Sequence, residues 1–132
     1  MIDIFNELYT SLVNSLASYD TNIKTSSVYT NIPSEYPFVS LEEINNAVYQ
    51  NGMDDEEIEN FSDVEYEVNI YTQNPYKKTK AGEILQVVDT LMRGTGFVRY
   101  SKAILQDENE TTYRINVRYG GVVSKDHIVY RR

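Results

Sequence analysis

His127 is the only histidine of a 132-residue chain that contains no cysteine. A multi-histidine metal centre and a thiolate site are therefore both excluded. Asp126 adjoins His127, but no Gly-x-Ser-x-Gly elbow and no cysteine nucleophile completes a triad, so the pair reads as ordinary surface. The run Asp54-Asp55-Glu56-Glu57-Ile58-Glu59 offers carboxylates to a divalent cation. Its acids do not alternate, however, and the sixth position lacks the glycine that an EF-hand loop needs for its turn. It reads as a solvated acidic loop. Gly94-Thr95-Gly96 follows a helical pattern instead of opening one, the wrong side for a phosphate. No Glu stands two residues before a Lys, which removes nuclease cores of that type. Glu42 and Glu43 are neighbours on an extended stretch and so point to opposite faces. No catalytic residue, metal or cofactor is expected.

The remaining chemistry is that of contact. The net charge is −8 and it is divided unevenly. Residues 1–76 carry 14 acids against Lys24 alone, whereas residues 77–132 carry 11 bases against 6 acids. The acidic run from Asp54 to Asp63 supplies only six of those 14 acids. Two oppositely charged halves can pair within one molecule or with the opposite half of a neighbour, as a head-to-tail ring requires. Lys77, Lys78 and Lys80 cluster at a helix N-terminus, where the dipole disfavours cations. With Arg93, Arg99, Lys102, Arg131 and Arg132 they could line a surface against an acidic neighbour or nucleic acid. The overall negative charge argues against general nucleic-acid binding and leaves local contact with DNA passing through a ring. Twelve tyrosines accompany no tryptophan. Tyrosine joins apolar area to a hydroxyl at low entropic cost, which suits interfaces. Tyr9, Tyr66 and Tyr113 fall on core-facing positions. Tyr71, Tyr76 and Tyr100 fall on polar faces or element ends and are interface candidates.

These groups must be positioned by eight elements. Ile4, Phe5, Leu8, Tyr9, Leu12, Val13 and Leu16 recur at three and four, which predicts a first helix with Asp3 at its positive end. Residues 23–30 read as a strand, punctuated by Pro33 and Pro37, and residues 38–44 as a second. A long acidic loop is expected over 45–63. Val64 to Tyr71 alternates strictly, with Val64, Tyr66, Val68 and Ile70 on one face and Glu65, Glu67 and Asn69 on the other. The second helix is expected over 77–93, with Gly94 as its cap and Gly82 permitting close packing. Strands at 97–105, 111–119 and 128–130 follow, the second broken by Gly120-Gly121. This order predicts a single domain over residues 1–132 of α+β class, a mostly antiparallel sheet with both helices on one face. If the strands at 64–71 and 111–119 are neighbours, or meet across subunits, Glu65 and Glu67 meet Arg114 and Arg118. Each exposed pair would then be worth at most about 1 kcal/mol.

No stretch approaches the roughly 18 apolar residues of a membrane span. The opening residues Met1 to Glu7 carry acid where a signal peptide carries Lys or Arg. The Asn-x-Ser/Thr triplets at Asn60 and Asn109 are accordingly read as chance, and synthesis in the host cytoplasm is expected.

The opening Ile2-Asp3-Ile4-Phe5-Asn6-Glu7-Leu8-Tyr9 leads to a strand pair containing Pro37-Phe38-Val39-Ser40-Leu41-Glu42-Glu43-Ile44. Tyr66 to Tyr71, the second helix, Gly96-Phe97-Val98-Arg99-Tyr100 and Tyr113 to Tyr119 follow. In length and order of elements this resembles the tail-terminator (tail-completion, head-to-tail joining) proteins of long-tailed bacteriophages. The resemblance spans nearly the whole chain and is one of layout. It implies a structural virion protein, a mixed sheet flanked by two helices and assembled as a homohexameric ring. That ring would cap the tail tube, meet the tail tube protein and the neck or connector proteins, and surround passing DNA. It brings no catalytic residues. The long acidic loop keeps a neighbouring neck component open as an alternative. A rival of another class is an acidic inhibitor or DNA mimic, against which the basic second half argues.

Overall fold

The computed structural model describes residues 3–27, 35–48, 61–73, 76–106 and 112–130. Its elements are α1 (Phe5–Tyr19), β1 (Lys24–Ser26), β2 (Phe38–Val48), β3 (Phe61–Gln73), α2 (Lys77–Thr95), β4 (Val98–Gln106), β5 (Thr112–Ser124) and β6 (Val129–Tyr130). The sheet order is β1-β2-β3-β5-β4, with β6 also on β5. Every pairing is antiparallel except the short β1–β2 one. The α+β class read from the sequence is therefore correct.

Both helices pack on one face because only one face of the sheet is apolar. Leu8, Leu12 and Leu16 of α1 and Ala81, Ile84, Leu85, Val88 and Met92 of α2 are buried. They share one core with Val64, Tyr66, Val68 and Ile70 of β3 and with Ile115, Val117 and Tyr119 of β5. The Asp3 carboxylate, one residue before the N-cap Ile4, accepts the Phe5 amide at 2.9 Å and so satisfies the first amide of α1 as well as complementing its dipole. α1 is tied to α2 by the Tyr19 hydroxyl on Glu83 and by Lys80 with Asp20 at 3.6 Å.

Several boundaries differ from the sequence expectation. The acidic loop is shorter than 45–63. Asn45 to Val48 extend β2 and Phe61 to Asp63 extend β3, paired with each other around a bulge at Ile44. Residues 49–60 lie outside the described ones, as do residues 28–30 of the first predicted strand. Gly120-Gly121 does not break β5, which runs on to Ser124. A Cβ at Gly121 would stand 2.9 Å from Phe97 Cδ1 and 3.0 Å from Val129 Cγ1, so the glycine admits the Phe97 ring. That ring meets Tyr66 edge-on at 5.4 Å. The α2 cap is Gly96, at φ 121°, not Gly94; its amide reaches the Met92 and Arg93 carbonyls. Gly82 faces open space and allows no close packing.

The β2–β3 and β4–β5 connections leave the sheet at opposite ends. Ser62 is level with Val123, whereas Thr72 is level with Tyr113 and Gln106.

Candidate functional site

The face of the sheet turned away from the helices carries a polar network built by strand register. β3 and β5 are direct neighbours, with Glu67 opposite Arg118, Asn69 opposite Asn116 and Tyr71 opposite Arg114. Arg118 Nε donates to Glu67 Oε2 at 3.0 Å. Asn69 Nδ2 donates to Glu67 Oε1 at 3.0 Å. The Asn69 Oδ1 in turn accepts Arg114 Nε at 3.0 Å, Arg114 Nη2 at 2.8 Å and Asn116 Nδ2 at 2.8 Å. The Arg114 guanidinium also lies 5.3 Å from the Tyr71 ring centroid, a cation–π distance. Two cations, one carboxylate and two amides are thus joined across two strands.

β2 extends this face on one side. Glu42 is directly opposite Glu67, a like-charge pair that strand geometry disfavours. Arg118 offsets the charge of Glu67, while Glu42 Oε1 is enclosed without a hydrogen-bond partner among the described residues. Ser40, opposite Asn69, is fully buried, and its hydroxyl likewise has no partner among the described residues.

The other candidate residues are scattered. Glu65 shares the face with Glu67 but stands opposite Gly120 on β5, not opposite an arginine. Tyr71 is not an exposed contact residue: it is 1% exposed, its ring held edge-on at 5.8 Å to Phe38 and under Arg114. Tyr76 is 80% exposed, at φ 63° before α2. Lys77 and Lys78 follow it, and Lys80 is engaged by Asp20. Arg93 and Arg99 both reach Asp89, at 3.2 and 3.5 Å. Lys80 and Arg93 lie on one helix, about 20 Å apart at 1.5 Å rise per residue. Tyr100 is exposed at a bulge of β4. Arg131 and Arg132 lie outside the described residues.

Two polar contacts escaped the sequence. The buried Tyr119 hydroxyl donates to Asp89 Oδ1 at 2.7 Å, making Asp89 a hub for one phenol and two arginines. His127 Nδ1 lies 2.6 Å from Glu7 Oε1 and joins the β5–β6 turn to α1. Neither was legible, because both depend on which helix covers which strand end.

Among the described residues, no group of three or more His, Asp or Glu side chains could hold a metal ion. No described helix is long and apolar enough to cross a membrane. The arrangement presents charges and hydroxyls for contact.

The fold has a counterpart in an assembled particle. A solved chain described as "Virion of native gene transfer agent (GTA) particle" is similar to this one at a TM-score of 0.51 and 15% identity. The match covers 83% of this chain and 81% of the other, so the likeness is one of the whole fold. No protein-family model and no curated protein matches the sequence.

Proposed function

We propose that this chain is a structural subunit of a phage-like virion, acting as the tail terminator in a ring that closes the tail tube and joins it to the neck. The observation that carries the reading is the fold likeness to a chain of a virion particle, extending over four-fifths of both molecules. The charge division supports it. The acid-rich first part contributes α1, β2 and β3, and the basic second part contributes α2, β4 and β5. One molecule therefore carries two unlike surfaces, which a ring of identical copies needs and a symmetric dimer does not. The ring is a homohexamer with DNA passing through its lumen. Its neighbours are the tail tube protein and the connector proteins, and its location is the virion. The same likeness also fits another neck component, because it attaches to the particle without a position.

Light scattering on the purified chain tests the ring directly, with about six copies expected. Electron microscopy of intact particles then separates the two positions. Density for the chain at the head-proximal end of the tail tube fits the terminator. Density at the portal side, away from the tube, would assign it to the connector. Absence from the particle would remove both.

A further inference from the structure

We propose that the sheet continues from one copy of this chain to the next. The outer edge of β4 pairs antiparallel with the outer edge of β2 in the partner subunit, setting Arg99 and Lys102 against Glu43 of the partner subunit. The proposal rests on the ring reading and names its interface.

Among the described residues both edges are open. β4 ends the strand order. β1 covers β2 only from Phe38 to Ser40, so among the described residues no strand meets the outer side of β2 from Leu41 to Val48. An open edge presents a row of backbone donors and acceptors ready for another strand. These edges also carry apolar side chains in water: Ile44 on β2, and Val98, Tyr100, Ile104 and Leu105 on β4.

Direction and level agree. Successive antiparallel pairings through β3 and β5 leave β2 and β4 running in opposite senses. In a ring whose axis follows the strands, β4 therefore meets the next β2 antiparallel. The registers place Glu43, Tyr66, Tyr119 and Arg99 on one rung, and Leu41, Val68, Val117 and Lys102 on another. Glu43 and the two cations accordingly share the helix-covered face at nearly the same height. Each edge bulges at that height too, at Ile44 and at Tyr100.

Charge selects this pairing over its rivals. β4 on β4 would bring Lys102 and Arg99 against the same cations, and β2 on β2 would bring Glu42 and Glu43 against acids. Like charges across a ladder are destabilising, so unlike edges are preferred. Lys102 is exposed and makes no ion pair among the described residues. Glu43 accepts Asn46 Nδ2 at 3.2 Å and has Asp3 nearby; partial desolvation first, and then Asp3 against the opposing Asn46 bond, holds its carboxyl above its ordinary range. A cation from a neighbour would relieve that.

Zero-length carbodiimide coupling tests the pairing on the unmodified protein. Within one molecule β2 and β4 are three strand spacings apart, about 14 Å, beyond the joint reach of a lysine and a glutamate. A Lys102–Glu43 or Lys102–Glu42 link must therefore join two copies, which mixing labelled and unlabelled protein verifies. That link is the expected result. Lys102→Glu is expected to weaken association about tenfold, and Glu43→Lys with Lys102→Glu to restore it. A six-copy ring that links only at other residues would overturn the edge pairing and keep the ring. A chain that remains monomeric at every concentration and gives no link would overturn both.

Discussion

Asn69 on β3 and Arg114 on β5 hold each other across the sheet, the guanidinium donating twice to one amide oxygen at 3.0 and 2.8 Å. Asn69 is fully buried on a face that no described helix covers, and it is the junction through which Glu67, Asn116 and Arg114 are connected. A charged network on a sheet is usually worth little, because water competes for each member. Here the junction is out of water and only its ends are wet.

Replacing the junction should therefore matter more than replacing an end. Asn69→Ala removes the shared acceptor of Arg114 and Asn116, and is expected to destabilise the fold by about 2–3 kcal/mol. Arg118→Ala removes an exposed partner of Glu67 and is expected to cost below about 1 kcal/mol. Urea denaturation of the two variants decides the matter. Equal losses would mean the network does not run through Asn69.

Stability should fall on the alkaline side. Burial first, then Glu43, pushes the Tyr66 phenol well above its ordinary value, and burial with Asp89 does the same for Tyr119. Tyr19, bonded to Glu83, is pushed up to about 12. In the unfolded chain these phenols ionise near pH 10. Above that pH the folded state holds more protons than the unfolded one, so their contribution is complete below about pH 10 and declines as pH rises. Phenolate absorbance followed together with circular dichroism should show late-ionising tyrosines that titrate only as the fold is lost. If all twelve ionise near pH 10 with ellipticity unchanged, the buried placement of Tyr66 and Tyr119 is wrong.

Two glycines should respond in opposite directions. Gly82 lies in the interior of α2, and a Cβ added there would have nothing within 4 Å, so Gly82→Ala is expected to stabilise by about 0.5–1 kcal/mol. Gly121→Ala drives a methyl group into Phe97 and Val129 and is expected to destabilise by about 1–3 kcal/mol. Thermal melts of both variants check the contrast.

The elements that the sequence announced are those whose own residues separate one face from the other. α1 shows a single leucine stripe, and β3 alternates Val64, Tyr66, Val68 and Ile70 with polar residues. The end of β2 beyond Ile44 was hidden because Asn45 and Ala47 are exposed, so this part of the strand is set by pairing with β3 and not by its own pattern. The Glu67–Arg118 pair followed from alternation once the two strands were taken as neighbours. Tyr71 shows the complementary case. Alternation assigned it to a polar face, but the side chains that enclose it, Phe38 and Arg114, come from two other strands. Cross-strand company leaves no trace in a single segment.

The touch between His127 and Glu7 spans 120 positions of sequence. No local helix or hairpin can bring these two groups together, so their meeting records completion of the whole chain fold. Because the protein has a single imidazole, its nuclear magnetic resonance signal gives one unambiguous reporter of that event. During refolding, the native imidazole shift should emerge with or after the helical signal and never before it.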